Sequence, residues 1–365
     1  MKTDLKFYRF LNRAKTLYHI LKIKALRKKP YPFYVNLVIN SQCNLRCAYC
    51  FGKYSFREQR YWPFEKLKTL IDELYKRGTR YILVQGGEPL LHPQIREILR
   101  YLIKKKIVCA IVSNGTLPEK IKEIKEIAYL DNICFSLDGN EEGNDLVRGK
   151  GVFRKVISSI EEVKKYYDTP VRINSTVHKY VVNDCDFMAE FVKKNNLEWG
   201  VSYLFKGDEK LNDEDLAPNQ EEIIQYQKKL IEYKKKGYPI FTPLKILEYT
   251  LNWPFGYGKI FVDEKTTKEK LGKKAIKCQY GYYEVIIDED GSVYPCNGLQ
   301  GKFSAKNIYE VGLDEALNNL KNKPCYTCYL MPMINTSAMI NWDLDVIFDT
   351  IFHNLRNIFF KYEKN

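Results

Sequence analysis

Six short strand-forming runs alternate with helical patterns, and this alternation constrains the fold more than any other feature of the chain. The runs are Phe33–Ile39, Tyr81–Val84, Ile107–Val112, Asn132–Leu137, Val171–Val177 and Trp199–Leu204. Helical periodicity fills the gaps over Phe64–Arg77, Pro93–Lys105, Glu119–Ala128, Val152–Tyr167 and Asp184–Asn195. Short, near-continuous apolar strands separated by helices indicate parallel β/α repeats, because crossover helices bury both faces of the sheet. Six repeats within 31–235 predict an α/β fold with a partial (β/α)6, TIM-like barrel rather than a closed eightfold one. Its chemistry is expected in the loops at the C-terminal ends of the strands.

The pattern changes after Lys236. Pro239, Pro243, Pro254, Gly256 and Gly258 interrupt the periodicity, so 236–277 is expected to be a linker. Tyr283–Asp288 and Ser292–Tyr294 flank Asp290-Gly291, a dipeptide that favours a tight hairpin turn. They fall in a small domain expected over 278–335, followed by an amphipathic helical segment, 336–365.

The net charge is +14, but residues 1–30 hold ten Lys or Arg and one acid, Asp4. The same segment spaces Phe7, Phe10, Leu11, Ala14, Leu17, Tyr18 and Leu21 along one helical face. Such a helix either docks on its own protein, basic face outward, or lies on an anionic membrane surface. At the other end Leu344, Ile347, Phe348, Ile351, Phe352, Leu355, Ile358 and Phe359 form a second stripe, opposite Asp345, Asp349, Asn354, Arg356 and Asn357. Core packing is its ordinary fate; two aromatic stripes also admit a shared membrane-facing or partner-facing surface. No run approaches the ~18 apolar residues of a membrane span, and no secretory signal opens the chain. A cytoplasmic location is expected, with peripheral contact at the inner face of the membrane through the terminal helices. Outside the first 30 residues the positive charge is dilute and no nucleic-acid-binding motif stands out, so no nucleic-acid partner is expected.

Ten cysteines in a reducing compartment read as ligands rather than disulfides. Cys43, Cys47 and Cys50 follow the first strand on one loop. Three thiolates there can converge on one iron–sulfur cluster, and three ligands leave a coordination position open. Cys278, Cys296, Cys325 and Cys328 form a second set whose spacing permits either structural zinc or a fully ligated cluster. Cys109, Cys134 and Cys185 read as buried inert thiols, although Cys134 shares pleat parity with Ser136 and could instead donate a hydrogen atom near a substrate. His92 and His178, near strand ends, read as structural.

Cys43-x-x-x-Cys47-x-x-Cys50 resembles the signature of radical S-adenosylmethionine (SAM) enzymes. Gly86-Gly87-Glu88-Pro89 is similar to that family's segment for the methionine amino group, and Glu88 could accept from an ammonium. Ser113-Asn114-Gly115-Thr116 and Ser136-Leu137-Asp138-Gly139 resemble its ribose and carboxylate contacts. Arg148 resembles an arginine aimed at the methionine carboxylate, and Tyr49 the aromatic beside cluster and adenine.

The resemblance implies a [4Fe–4S] cluster on the first three cysteines, with SAM chelating its open iron. Reductive cleavage then yields a 5′-deoxyadenosyl radical that takes a hydrogen atom from substrate. A reductant such as ferredoxin or flavodoxin is implied as a partner. The second set resembles the start of a SPASM/Twitch extension, in its shorter Twitch form with one auxiliary [4Fe–4S] cluster. A fully ligated auxiliary cluster suits an electron acceptor. The expected reaction is therefore an oxidative modification of a small or lipid-linked molecule. The alternatives are maturation of a ribosomally made peptide and, in another class, a nucleic-acid-binding iron–sulfur protein.

Overall fold

The computed structural model describes residues 5, 7–15, 18, 31–204 and 216–359, except the side chains of 354–359. A helix over 7–15 (α1) precedes the first repeat. The barrel strands are β1 (Tyr34–Val38), β2 (Tyr81–Gln85), β3 (Val108–Ser113), β4 (Ile133–Ser136), β5 (Val171–Val177) and β6 (Glu198–Tyr203). Between them run α2 (Phe64–Arg77), α3 (Ile95–Lys104), α4 (Pro118–Glu123), α5 (Glu141–Arg148), α6 (Val152–Tyr166) and α7 (Cys185–Lys194). Helices α8 (Gln220–Lys235), α9 (Leu244–Leu251) and α10 (Glu264–Leu271) follow, then β7 (Glu284–Ile287), β8 (Ser292–Tyr294) and β9 (Lys306–Asn307). The described chain closes with α11 (Ile308–Val311), α12 (Leu313–Asn319), α13 (Met331–Ile340) and α14 (Leu344–Phe359).

The strands lie in one sheet ordered β6-β5-β4-β3-β2-β1-β7-β8-β9. All neighbours from β6 to β7 are parallel, and β7–β8 and β8–β9 are antiparallel. No pairing joins β6 to β9, so the α/β barrel is partial, as the six-repeat pattern predicts. The hairpin expected around Gly291 forms, and its first strand pairs with β1, extending the barrel sheet into the segment behind Cys278. Residues 236–277, expected as a linker, carry α9 and α10 and bury Ile246, Leu247, Trp253 and Val262.

Alternate strand residues explain the two faces of the sheet. Val35, Leu37, Ile82, Val84, Ile111, Ile133, Phe135, Val171 and Ile173 are buried in the main core with α2, α3, α6 and α7. Their neighbours point into the barrel and are polar more often than near-continuous apolar runs imply. Asn36 donates to Glu284 at 2.9 Å, and Arg172 binds Glu198 through two nitrogens at 2.9 and 2.7 Å. Ser136, Asn174, Thr176 and Ser202 are only half-buried.

The terminal helices reverse the expected sense of burial. Arg9 and Asn12 of α1 are buried, whereas Phe7 and Leu11 are exposed. Arg9 donates to the carbonyls of Leu130 and Ala128, and Arg13 to Asp131. In α14 the buried residues are Val346, Thr350 and His353, while Leu344, Phe348 and Phe352 face outward. The underside of the barrel offers carbonyls and a carboxylate to the polar side of α1, whereas α14 buries Val346 in the core and its Asp349 accepts from Lys234 Nζ and Leu244 N. Leu17, Leu21 and the side chains of Leu355, Ile358 and Phe359 lie outside the described residues. No helix among the described residues is long and apolar enough to cross a membrane.

Candidate active site

The loop after β1 carries Cys43, Cys47 and Cys50, all partly accessible. Its backbone is tied down on two sides: Gly87 N donates to Asn40 O at 2.8 Å and Glu88 N to Gln42 O at 2.7 Å, while Ala48 N donates to Val147 O at 3.0 Å. These contacts explain the paired glycines. A Cβ on Gly86 would come 2.6 Å from Asn40 O, and one on Gly87 2.6 Å from Ser41 O, so no side chain fits against the cysteine loop.

Glu88 is fully buried. It accepts from Leu90 N at 3.0 Å, Ser113 Oγ at 3.0 Å and Asn114 N at 2.7 Å. Burial pushes its carboxyl up to about 7, against those three donors, which favour the charged form. Glu88 thus ties together the loops after β2 and β3. Pro89 follows, buried, at the first position of a short 3-10 turn. Asn114 reaches the cysteine loop directly: Nδ2 lies 2.8 Å from Asn44 Oδ1 and 3.9 Å from Cys43 Sγ.

Tyr49, Asp138 and Arg148 form one buried knot. Arg148 donates to Asp138 from Nε at 2.7 Å and Nη2 at 2.9 Å, Tyr49 donates its hydroxyl to the same carboxylate, and Thr176 N adds a bond at 2.9 Å. Burial alone would raise the Asp138 pKa, but the Arg148 charge and the donors around the carboxylate together outweigh it and hold the carboxyl well below the usual range. Arg148 thus binds Asp138 through Nε and Nη2. Ser136 stands apart from this knot, half-buried on the barrel wall.

His178 joins the same cluster. It is fully buried, 3.7 Å from Asp138 Oδ2, with its ring 5.7 Å from Tyr49 and neither ring nitrogen hydrogen-bonded. Its place one residue beyond β5 is the signal that could have found it. Asn174, Thr176 and Ser202, with Ser136, make a polar wall beneath; the alternation in Val171-Arg-Ile-Asn-Ser-Thr-Val177 carries that signal. Cys134 is buried on the same wall, its thiol pushed up to about 11 by burial. His92 is structural, with Nε2 2.9 Å from Trp62 O.

Cys278, Cys296, Cys325 and Cys328 come together from three separate stretches, and all four are buried. Cys278 N donates to Tyr326 O at 2.8 Å, and Val262 N to Thr327 O at 3.1 Å, which pins the Cys325–Cys328 turn. Burial pushes up the thiols of Cys325, to about 11, and of Cys296 and Cys328, and the other sulfurs of the set push further in the same direction. The first set behaves alike: burial lifts Cys43 to about 12 and raises Cys47, with the neighbouring sulfurs adding to the effect. Crowded, desolvated thiols of this kind ionise when a cation binds them as thiolates. Among the described residues no three His, Cys, Asp or Glu side chains close around a single metal ion. Three sulfurs on an open loop and four buried sulfurs are donor sets of the kind that iron–sulfur clusters take.

The two sets are physically connected. Val38, Tyr54 and Ile286 pack against Cys43, Cys50 and Tyr294, so the first set adjoins the β7–β8 hairpin that leads to Cys296. Arg57, on the loop after Cys50, binds Asp288 at 2.9 Å and Glu289 at 3.1 Å on the β7–β8 hairpin.

Comparison with known proteins agrees with this geometry. Residues 37–192 match the Radical SAM superfamily. The chain is 25% identical over 309 residues to the antilisterial bacteriocin subtilosin biosynthesis protein AlbA of Bacillus subtilis, covering 82% of this chain and 63% of AlbA. It is 30% identical over 184 residues to Fe-coproporphyrin III synthase of Methanosarcina barkeri, covering 48% of this chain and 45% of that protein. The chain thus spans less than two thirds of either relative. Its fold is similar to that of Streptococcus suis SuiB bound to S-adenosylmethionine, with a TM-score of 0.59 at 18% identity over 85% of this chain and 70% of SuiB.

Proposed function

We propose that this chain, which belongs to the Radical SAM superfamily over residues 37–192, cleaves SAM reductively and carries out an oxidative modification of its substrate. The observation that carries the reading is the contrast between the cysteine sets: three partly accessible thiols on a loop at the barrel mouth, and four buried ones behind it. When bound, a [4Fe–4S] cluster on Cys43, Cys47 and Cys50 supplies the electron that splits SAM, and an auxiliary cluster on Cys278, Cys296, Cys325 and Cys328 supplies an acceptor.

The protein's own part is positioning. Gly86 and Gly87 present backbone to the methionine end of SAM. Asn114 sets the cysteine loop against the loop after β3. The Tyr49–Asp138–Arg148 knot fixes the wall beside the adenosyl group, and Ser136, Asn174 and Ser202 face the substrate. The proposed organisation is a barrel over 31–235 with an auxiliary-cluster domain over 278–335, reduced by ferredoxin or flavodoxin and peripheral at the inner face of a membrane.

For the substrate, maturation of a peptide is favoured over a small or lipid-linked molecule. AlbA is named for bacteriocin biosynthesis, and SuiB has been seen with its precursor peptide SuiA. The small-molecule reading keeps the support of the synthase relative.

The test is anaerobic incubation with SAM and dithionite. The wild type should form 5′-deoxyadenosine and hold about eight irons per chain. Replacing Cys43, Cys47 and Cys50 together by Ala should leave about four irons and no 5′-deoxyadenosine. Product formation by that triple variant overturns the assignment.

A further inference from the structure

The site loops all leave the C-terminal ends of the strands: Cys43 follows β1, Gly86 follows β2, Asn114 follows β3, Asp138 follows β4 and His178 follows β5. The two terminal helices sit at the other end. Arg9 of α1 binds Ala128 O, Leu130 O and Thr169, which lie just before β4 and β5. His353 of α14 lies 3.9 Å from Glu198, the first residue of β6, and the Arg13 guanidinium of α1 acts on the same carboxylate. Both helices therefore lie at the same end of the barrel.

α1 docks through Arg9, Asn12 and Arg13, and α14 through Val346, Asp349, Thr350 and His353, which leaves several large apolar side chains outward. Phe7 is 62% exposed on α1, with Leu11 one turn on. On α14, Leu344, Phe348 and Phe352 recur every fourth residue, and Phe352 is 69% exposed. Tyr129, beside the α1 dock, is exposed as well. An amphipathic helix that turns its apolar face out forfeits the burial that normally stabilises it, so another apolar phase is needed to cover that face.

Charge identifies that phase. In a barrel of parallel repeats the helices run against the strands, so their C-termini gather at this same end. There the last turns or the residues just after them present exposed Lys76, Lys104, Lys106, Lys164, Lys165, Lys194, Lys235 and Lys236. On α1 the exposed Lys15 adds to them. Asp131, Glu198 and Glu126 at this end are turned inward onto Arg13, Arg172 and the Arg96–Arg100 pair, while the exposed Glu232 and Glu248 offset Lys236 and Lys235 only. Aromatic and aliphatic side chains set in a lysine-rich field match an anionic lipid surface.

We propose that α1 and α14 together form a docking surface for an anionic membrane, with the barrel mouth held on the aqueous side, so that the substrate is a water-borne chain and not a lipid buried in the bilayer. The orientation rests on the functional reading that the mouth is at Cys43–Cys50. Strands of 4–7 residues separate the two ends, by about 13–23 Å at the usual rise per residue.

The test uses the full chain as anaerobically purified holoenzyme, floated with vesicles of phosphatidylcholine alone or with phosphatidylglycerol added. It should float only with phosphatidylglycerol. The Phe7→Asp/Phe348→Asp/Phe352→Asp variant should lose about tenfold or more in bound-to-free ratio, with unchanged melting and unchanged SAM cleavage in solution. Brominated phosphatidylglycerol should quench the emission of Trp342, at the start of α14, and Trp342→Phe should abolish that quenching. SAM cleavage on vesicles should equal that in solution.

No flotation overturns the proposal, as does flotation that survives the Asp substitutions but collapses with salt, since charge alone would then suffice. A dimer abolished by the same substitutions, without vesicle binding, also overturns it and makes the face a contact between copies. Loss of SAM cleavage on vesicles overturns the orientation. Failure to cleave SAM at all, with flotation intact, removes the functional reading and leaves the docking surface standing.

Discussion

Arg57 Nη1 lies 2.9 Å from Asp288 Oδ2, joining the loop of the first three cysteines to the hairpin that leads to Cys296. The same guanidinium holds Glu289, so one cation serves two adjacent buried carboxylates. Arg57→Ala leaves both acids without that charge. The expected cost is about 2–3 kcal/mol, below the range for a fully buried pair because Arg57 is partly exposed. Urea denaturation measures it, and adding Asp288→Asn should recover part of the loss; equal stability of Arg57→Ala and wild type would refute the clamp.

The Arg148–Asp138 pair is more deeply buried and should cost more to break. Arg148→Ala strands a carboxylate in the core, for about 3–5 kcal/mol. The double variant Arg148→Ala/Asp138→Ala should be more stable than Arg148→Ala alone. Because the folded Asp138 pKa is depressed, its contribution is present above the ordinary carboxylate range and lost as pH falls through it. A double-mutant cycle with strictly additive losses would show that the two do not act as a pair.

Gly87→Ala should act on one cluster alone. The added methyl group would meet the backbone carbonyls of Ser41 and Gln42, so the cysteine loop must move. Iron is expected to fall from about eight to about four per chain, with 5′-deoxyadenosine formation lost in parallel. Retention of full iron and full SAM cleavage would show that the loop tolerates the shift.

Glu88 should give stability a pH dependence near neutrality. Its folded pKa of about 7 exceeds the ordinary carboxyl value, so between the two the folded state holds the extra proton. Stability from this group is therefore complete below the ordinary value and declines as pH rises towards about 7. Glu88→Gln removes the titration, and the wild-type advantage over the variant should shrink across that window in urea melts. A difference that stays flat counts against a perturbed Glu88.

Much of the barrel was legible in sequence because strand and helix periods differ and parallel repeats keep them apart. The runs at Tyr81–Val84 and Val171–Val177 fall on β2 and β5 to within a residue. The order of loop motifs was legible too, since each follows its strand. What was not legible is which partner each side chain chooses. Glu88 and Arg148 are short-range neighbours of the mouth in sequence, yet each is satisfied inside the protein, by Asn114 and Asp138. The terminal helices mislead for a related reason: amphipathic spacing locates an apolar face, but not what lies on either side of it.

By itself the sequence determined the α/β repeat, the two cysteine sets and the concentration of charge near the start, because periodicity, spacing and composition are local properties of a chain. The tertiary structure decided that β7 joins β1, that His178 meets the Tyr49–Asp138–Arg148 knot, and that α1 and α14 leave several large apolar side chains outward. Those outcomes depend on which buried donors and acceptors find one another across hundreds of residues.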